Sequence, residues 1–322
     1  IVIAAVIVAG GVYFWAQDKF RVEGPLRESR AVVIPSGAGL KRIARILHDN
    51  SVIEYPWLFI AGARYESAHR RLKAGEYAFP ARVSAQAVVA MLRAGRTVIR
   101  HVTIPEGFTS RQVVDVLNAA PGLTGVIERT PLEGSLLPET YDYSFGDDRA
   151  SIIQRMQGSQ NQALAALWAE RLNNPFISSV RDAVVLASIV EKETGRADER
   201  SRIAAVFLNR LRLGMRLQSD PTVAYAVTGG ARALGRPLSR ADLAVDSPYN
   251  TYRVKGLTPG PICNPGRAAI EAVLRSLPTK ELYFVADGAG GHVFARTLGA
   301  HNRNVAKWRR LRKASPQSIK NK

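Results

Sequence analysis

One short pattern occurs twice and sets how the first third of this chain can fold. Val33-Ile34-Pro35-Ser36-Gly37 returns as Thr103-Ile104-Pro105-Glu106-Gly107. Each copy leads into an apolar stripe at helical spacing, Ile43, Ile46 and Leu47 in the first and Val113, Val116 and Leu117 in the second. A β-branched pair favours extended chain, and the Pro/Gly turn ends it. Each copy therefore predicts a short strand, a turn and an amphipathic helix starting near Leu40 or Ser110. Two copies are too few for a solenoid, so they predict two small strand–helix modules. Between them Gly75-Glu76-Tyr77-Ala78-Phe79 reads as a strand. Ser84 then caps a helix carrying Val88, Val89, Met91 and Leu92, which Gly95 closes. Modules of this shape serve either as glycan-binding units or as rigid spacers.

The opening run, Ile1 to Trp15, is uncharged and ends in Tyr13-Phe14-Trp15. It is shorter than the ~20 residues of a spanning helix. The sequence does not begin with Met, so part of the run is expected upstream. The aromatic edge and the lack of a small-x-small cleavage site favour a retained transmembrane anchor at residues 1–16 over a cleaved signal peptide. Gln17 to Arg30 is polar, contains Gly24-Pro25 and reads as a linker.

The 322 residues suffice for two or three domains, and 46% apolar content supports a real core. The net charge of +18 calls for an anionic partner or surface. Part of that charge is local, because Lys307 to Lys322 carries seven basic residues and no acid. Such a run reads as a solvated tail. The lone Cys263 excludes an internal disulfide and a cysteine-rich metal site.

Beyond about Thr130 the texture becomes helical. Helices are predicted near Ala150–Arg171 and Val180–Glu193. A third starts near Asp198, with Ile203, Val206, Phe207 and Leu211 facing a core, and stops at Gly214. Leu282–Ala286 and His292–Thr297 flank Asp287-Gly288-Ala289-Gly290-Gly291 and read as a β-hairpin. The last helix is predicted over Asn302–Arg312. In the segment LASIVEKET, Leu186, Ile189, Val190 and Glu193 fall at i, i+3, i+4 and i+7, on one helix face. Glu191 lies roughly 200° of rotation away. One glutamate should thus meet the packed side and the other a flank. A carboxyl against apolar surface, near a helix C-terminus that Gly195 would close, keeps its proton more readily. A proton-holding glutamate is what a general acid for glycosidic cleavage requires.

Four turn-rich segments offer cleft material. Leu217-Gln218-Ser219-Asp220-Pro221-Thr222 opens a helix with Asp220 as its expected cap. Ser247-Pro248-Tyr249-Asn250-Thr251-Tyr252 gathers aromatics and amides in one loop. Gly256 to Ile262 is a stiff Pro/Gly loop, and Asp287 to His292 turns the hairpin. Tyr faces stack on sugar rings, and Asn, Gln and Asp supply directed hydrogen bonds. No phosphate-binding glycine loop, dinucleotide fingerprint or serine-nucleophile elbow is present. His292 and His301 have no zinc-motif context, so no metal or other cofactor is expected, and His292 suits the hairpin or the cleft rim.

These residues together resemble one family. Ala187 to Thr194, Gln218 to Thr222, Tyr249 to Tyr252, Tyr283 to Phe294, the Ile104-Pro105-Glu106-Gly107 turn and the Leu136-Leu137-Pro138-Glu139-Thr140-Tyr141 loop are similar, in this order, to the endolytic murein transglycosylases of the YceG-like family. The resemblance reaches from the anchor to about Trp308. It implies an α+β chain: an N-terminal transmembrane helix (1–16), a linker (17–30), a LysM-like module (31–100), a lysozyme-like, mainly helical catalytic domain with a C-terminal β-hairpin (101–312), and a basic tail (313–322). It implies a single-pass inner-membrane protein with its catalytic domain in the periplasm, acting inside nascent peptidoglycan strands between N-acetylmuramic acid and N-acetylglucosamine and so limiting strand length. Peptidoglycan synthases are the partners it suggests.

The family's catalytic glutamate falls on the second Glu of E-K-E-T, Glu193. Gln218, Asp220, Tyr249, Asn250, Tyr252 and Glu139 are the expected substrate-binding residues. The implied reaction is lytic. Glu193 protonates the bridging oxygen and then serves as base, while the muramyl C6 hydroxyl closes on its own C1 to leave a 1,6-anhydro end. Two alternatives stay open. A hydrolytic muramidase would need a second carboxylate, for which Glu139 and Asp220 are the candidates. A non-catalytic wall-binding scaffold would tolerate loss of Glu193. A nucleic-acid binder fits the charge but lacks a recognition motif and conflicts with the anchor.

Overall fold

Turn chemistry fixes the first module where the motif puts it. β1 (Arg30–Ile34) stops at Pro35, which lacks the N–H a ladder needs, and Gly37 turns the chain at φ +73°. α2 (Leu40–Asp49) follows, with Ile43, Ala44 and Leu47 buried. α3 (Pro56–Tyr65) is unannounced in the sequence, because its apolar residues show no clear helical period, although it starts on a proline as helices favour. β2 (Gly75–Phe79) pairs antiparallel with β1, Arg30 opposite Phe79 and Ile34 opposite Gly75. α4 (Ala85–Ala94) carries the cap the sequence predicts, Ser84 Oγ accepting the Ala87 N–H at 3.2 Å, and ends on left-handed Gly95. A two-stranded sheet is marginal alone. Here Tyr77 and Phe79 of β2 share one buried core with Leu47, Phe59, Val88 and Leu92 of the helices.

The computed structural model describes residues 2–314, and of the predicted basic tail residues 315–322 lie outside the described residues. α1 (Val2–Arg21) runs past the expected anchor boundary, so residues 17–21 are helical rather than linker. Phe20 holds them down: it is 9% exposed and packs on Gly62, where a Cβ would come within 2.3 Å of its ring. Among the described residues no helix is long and apolar enough to cross a membrane. The apolar run of α1 is diluted by Gln17, Asp18, Lys19 and Arg21 within the same helix.

The chain forms two compact units. The first runs to Val102 and takes in Ala120–Gly125 and Asp142–Asp148; the second comprises Thr103–Ala119, Val126–Tyr141 and the chain from Arg149 onward. β3 (Ile99–Thr103) pairs with β4 (Thr140–Ser144), a strand that begins where the sequence suggests only irregular loop. The second motif copy continues into α5 (Ser110–Ala119). The Glu133–Pro138 loop is tied down by two polar side chains, one half-buried and one fully buried. Glu133 accepts the Ser110 N–H at 2.9 Å, a favourable place for a carboxylate at a helix start, and fully buried Asn264 bonds the Leu136 N–H, the Phe108 carbonyl and Ser110 Oγ.

Helices dominate the rest of the second unit. α6 (Arg149–Ala169) precedes α7 (Val180–Glu193), which opens on a capping box between Ser179 and Asp182. α8 (Ala197–Arg212), α9 (Asp220–Thr228), the short α10 (Arg240–Leu243) and α11 (Arg267–Leu274) follow. α7 packs against α8 and α11 through Leu186, Ile189, Ile203, Phe207, Ile270 and Val273. Every residue from Ala183 to Val190 is buried, so α7 is enclosed all round rather than along one stripe. It ends at Glu193, as the sequence predicts, with Thr194 extended at φ −146° as its cap ahead of Gly195. β5 (Tyr283–Ala286) and β6 (His292–Ala295) form the predicted antiparallel hairpin, and α12 (Leu298–Ala314) packs on both strands. Glu199 anchors the hairpin by accepting the His292 N–H at 2.8 Å and contacting its ring Nδ1 at 2.7 Å, which commits His292 to the hairpin.

Candidate active site

Glu193 is the last residue of α7, so its side chain leaves the buried helix where the backbone turns away. Ser219 Oγ donates to its Oε1 at 2.5 Å. Ser219 is the N-cap of α9, and an N-cap hydroxyl ordinarily accepts from its own first turn. Here that bond is absent and the hydroxyl is aimed at the carboxyl instead. Three further bonds fix the aim. The Ser219 N–H donates to Thr251 Oγ1 at 2.9 Å, Thr222 Oγ1 donates to the Ser219 carbonyl at 2.7 Å, and the two threonine hydroxyls lie 2.8 Å apart. Thr222 and Thr251 are fully buried, so the cradle is closed to water on that side.

The segment entering the cradle is strained and braced. Gln218 sits at φ +50°, a conformation costly for a residue with a Cβ. Its N–H donates to the Thr251 carbonyl at 3.1 Å. Arg210 of α8 clamps the same segment. Its guanidinium donates to the Leu217 carbonyl at 2.7 Å, the Leu282 carbonyl at 2.7 Å and Gln218 Oε1 at 3.5 Å. It lies over the Tyr283 ring, which stacks on His301. Burial pulls the Arg210 guanidinium down from its usual range.

Burial is the main reason that the Glu193 carboxyl is pushed up to about 7. The Asp220 charge adds to the rise, while the Ser219 hydroxyl and the Arg210 charge oppose it. A carboxyl balanced near neutrality can give a proton and take one back at the pH where it works. Glu191 is enclosed as well, its side chain only 5% exposed, but it turns elsewhere. It accepts the Gly266 N–H at 2.9 Å and faces Arg200, which also meets Glu106 at 3.3 Å. Burial raises Glu191 too, but this carboxylate is committed to structure.

Three of the remaining sequence-predicted residues, Gln218, Asp220 and Tyr252, adjoin Glu193 or its cradle. Asp220 is the first residue of α9 rather than its cap, because the backbone reaches helical geometry one residue earlier than expected; its Oδ1 accepts from Tyr252 Oη at 2.6 Å. Burial first, then the Asp220 bond, raises the Tyr252 phenol well above its ordinary range. Gln218 is exposed beside the cradle. Tyr249 packs against Tyr225 of α9, ring centroids 4.9 Å apart.

Asn250 and Glu139 behave differently. Asn250 is fully buried and donates to the Leu243 and Val245 carbonyls at 3.0 and 2.8 Å, while its Oδ1 accepts the Tyr252 N–H. Its polar atoms are spent on holding the loop, because three backbone groups there have no helix or strand to satisfy them. Glu139 is exposed just before β4, and among the described residues no hydrogen bond or ion pair joins its carboxyl to the cradle.

Ser219, Thr251 and Arg210 are the functional residues that sequence reasoning overlooked. For Arg210 a signal exists: with Ile203, Val206 and Phe207 it completes an i, i+3, i+4, i+7 series, a charge on an apolar stripe, as Glu193 does on α7. For Thr251 there is none, since only the fold brings it to Ser219.

The model of the YceG-like family matches residues 32–307, which include every residue of this cradle. The chain belongs to the YceG-like family. Relatives named endolytic murein transglycosylase match it over most of its length. The protein is 31% identical to the endolytic murein transglycosylase of Bacillus subtilis (strain 168), over 94% of this chain and 91% of that one. It is 29% identical to the endolytic murein transglycosylase of Streptococcus pneumoniae serotype 2, over 95% of this chain and 64% of that one. The crystal structure of a yceG-like protein from Listeria monocytogenes superposes with a TM-score of 0.53 at 32% identity, covering 86% of this chain and 99% of that one.

Proposed function

We infer that this YceG-like protein is a lytic transglycosylase that cuts inside peptidoglycan glycan strands. The observation that carries the reading is the Glu193 carboxyl, half-buried at the helix end, held by Ser219 Oγ and balanced near neutrality, in a chain similar over most of its length to endolytic murein transglycosylases. In the protonated form Glu193 donates to the bridging oxygen, and the C1–O bond breaks with that oxygen leaving as a hydroxyl. The C6 hydroxyl of the same muramyl residue then closes on C1 and gives its proton to the Glu193 carboxylate. The acid is regenerated, no water is consumed, and a 1,6-anhydro end results. One carboxyl suffices for both steps.

Each surrounding group has a part in this. Ser219 fixes the carboxyl's orientation and stabilises its ionised form after the first transfer. Arg210 holds the Gln218–Ser219 segment and lends positive charge to the same form. Tyr252 and Asp220, joined at 2.6 Å, offer a hydrogen-bonding edge beside Glu193 for sugar hydroxyls. Asp220 also sustains one rival, because a muramidase needs a second carboxylate and this is the one whose charge reaches Glu193.

Product analysis separates the readings. Uncross-linked glycan strands incubated with the protein should yield ends lighter by one water than hydrolysed ends in mass spectrometry. Reducing muramyl ends would establish hydrolysis instead, and intact strands after incubation with folded protein would leave a binding scaffold. The first turns of α1 support placement at a membrane, since Ile3, Ile7, Val8 and Phe14 all point into solvent. Partition of the protein between vesicles and buffer tests that placement.

A further inference from the structure

A cavity meets the cradle at Asp220. It measures about 320 Å³ and runs along α9, from the Asp220–Pro221 turn to the loop at residues 230–238. Its walls are mainly aliphatic and aromatic, from Ala224, Tyr225, Leu234, Leu238 and Ile262, with Thr109, Gln112 and Thr228 between them. The charges at its edge are mainly positive. Lys192, next to Glu193 in the chain, spends one donor on the Gly107 carbonyl at 3.3 Å and keeps its others. Arg232 is exposed and makes no hydrogen bond or ion pair among the described residues. Arg236 is already neutralised by Asp242, through bonds of 2.6 and 2.9 Å. Of the nearby acids, Asp220 accepts from Tyr252, and Glu133, beside Gly230, accepts from Ser110.

The sugars of a peptidoglycan strand are neutral and rich in hydroxyls. They carry no charge to match Lys192 and Arg232 over a mainly apolar wall. The part of that polymer with matching chemistry is the short peptide on the lactyl ether of the muramyl residue, which has small aliphatic side chains and free carboxylates. We propose that this cavity receives the peptide stem of the muramyl residue bound at Glu193, with its carboxylates facing Lys192 and Arg232. The enzyme would then select strands whose stems are present and free to enter, rather than stripped strands. This rests on the reading of Glu193 as the strand-cutting acid. It adds a specificity pocket that the cutting chemistry does not itself need.

The test compares two forms of one substrate, uncross-linked strands bearing stems and the same strands stripped by an amidase. Two readouts run in parallel: cleavage by the active protein, and binding by Glu193→Gln. Arg232→Glu reverses one charge, and Ala233→Trp fills the mouth from an exposed loop position. Wild type should handle stem-bearing strands better, with the difference in KM. An exposed ion pair is worth up to about a fivefold effect, and reversing the charge adds repulsion, so Arg232→Glu should reduce the preference roughly three- to tenfold. Both variants should cut stripped strands at the wild-type rate. Equal handling of the two substrates by wild type, or a preference unchanged in both variants, overturns the pocket while leaving the cutting reaction in place. Preferential binding of stem-bearing strands without cleavage of either form overturns the cutting reaction and leaves the pocket.

Discussion

Replacing Glu193 by Gln changes one proton and little else, and the structure predicts opposite effects on activity and stability. The carboxyl rises from 4.5 to about 7 because folding buries it. Between those two pH values the folded state keeps a proton that the unfolded chain has lost. The stability that this proton supplies is fully present below pH 4.5 and is lost as pH rises through 7. One pH unit corresponds to ~1.36 kcal/mol, so the ionised carboxyl costs the folded protein about 3 kcal/mol at pH 8 relative to pH 4. Glutamine has no such cost and still offers Ser219 an acceptor oxygen. Glu193→Gln should match wild type in stability near pH 4 and exceed it by up to about 3 kcal/mol at pH 8, with strand cleavage lower by about 10²–10⁴-fold. Thermal melts of both proteins at pH 4, 6 and 8, with turnover measured on the same preparations, read both effects. In wild type, kcat/KM should fall about tenfold per pH unit above ~7, as the acid form is lost. A stability difference that stays constant across this range would refute the desolvated carboxyl, and wild-type turnover by folded Glu193→Gln would refute its role as acid.

Three other substitutions probe the cradle and its loop. Ser219→Ala removes the hydroxyl that favours the ionised form of Glu193, so the falling limb of the pH–rate profile should move to higher pH, with about 1 kcal/mol lost in stability; an unmoved limb would show that the bond does not tune the carboxyl. Asn250→Ala strips the Leu243 and Val245 carbonyls of their donor and should cost about 1–3 kcal/mol in melting while turnover per folded molecule stays near wild type; a selective loss of turnover would restore Asn250 to the binding surface. Tyr252→Phe frees Asp220 and should raise KM or lower turnover by roughly 3- to 30-fold with little change in melting, whereas an unchanged pair of constants would remove this edge from the site.

Local chemistry alone determined a large part of this protein. Pro35 and Gly37 end a strand, Ser84 and Gly95 bracket a helix, and the five glycine-rich positions before His292 turn a hairpin, because each effect acts within a few residues along the chain. The same locality explains why Glu193 was legible: a charge at the seventh position of an apolar stripe conflicts with its surroundings whatever else the fold does. It explains the misses too. α3 has no clear local period and exists because α2 and α4 cover it. Residues 17–21 read as polar linker, yet they are helix, since Phe20 finds Gly62 more than forty residues away.

The site's working state belongs to the tertiary structure. Sequence suggests a carboxyl that resists ionisation, but how far depends on the balance of burial, Asp220, Ser219 and Arg210, which meet only after α7, α8 and α9 have packed. The hydroxyl of Ser219 could have capped its own helix. It is turned to Glu193 because Thr222 and Thr251, one nearby and one 32 residues further on, hold its backbone in place. Asn250 carries the residue type of a sugar ligand, and only burial shows that its amide serves the loop. Spacing encodes which atoms can share a helix face; it cannot encode which distant groups satisfy or desolvate them, and those interactions set the chemistry of Glu193.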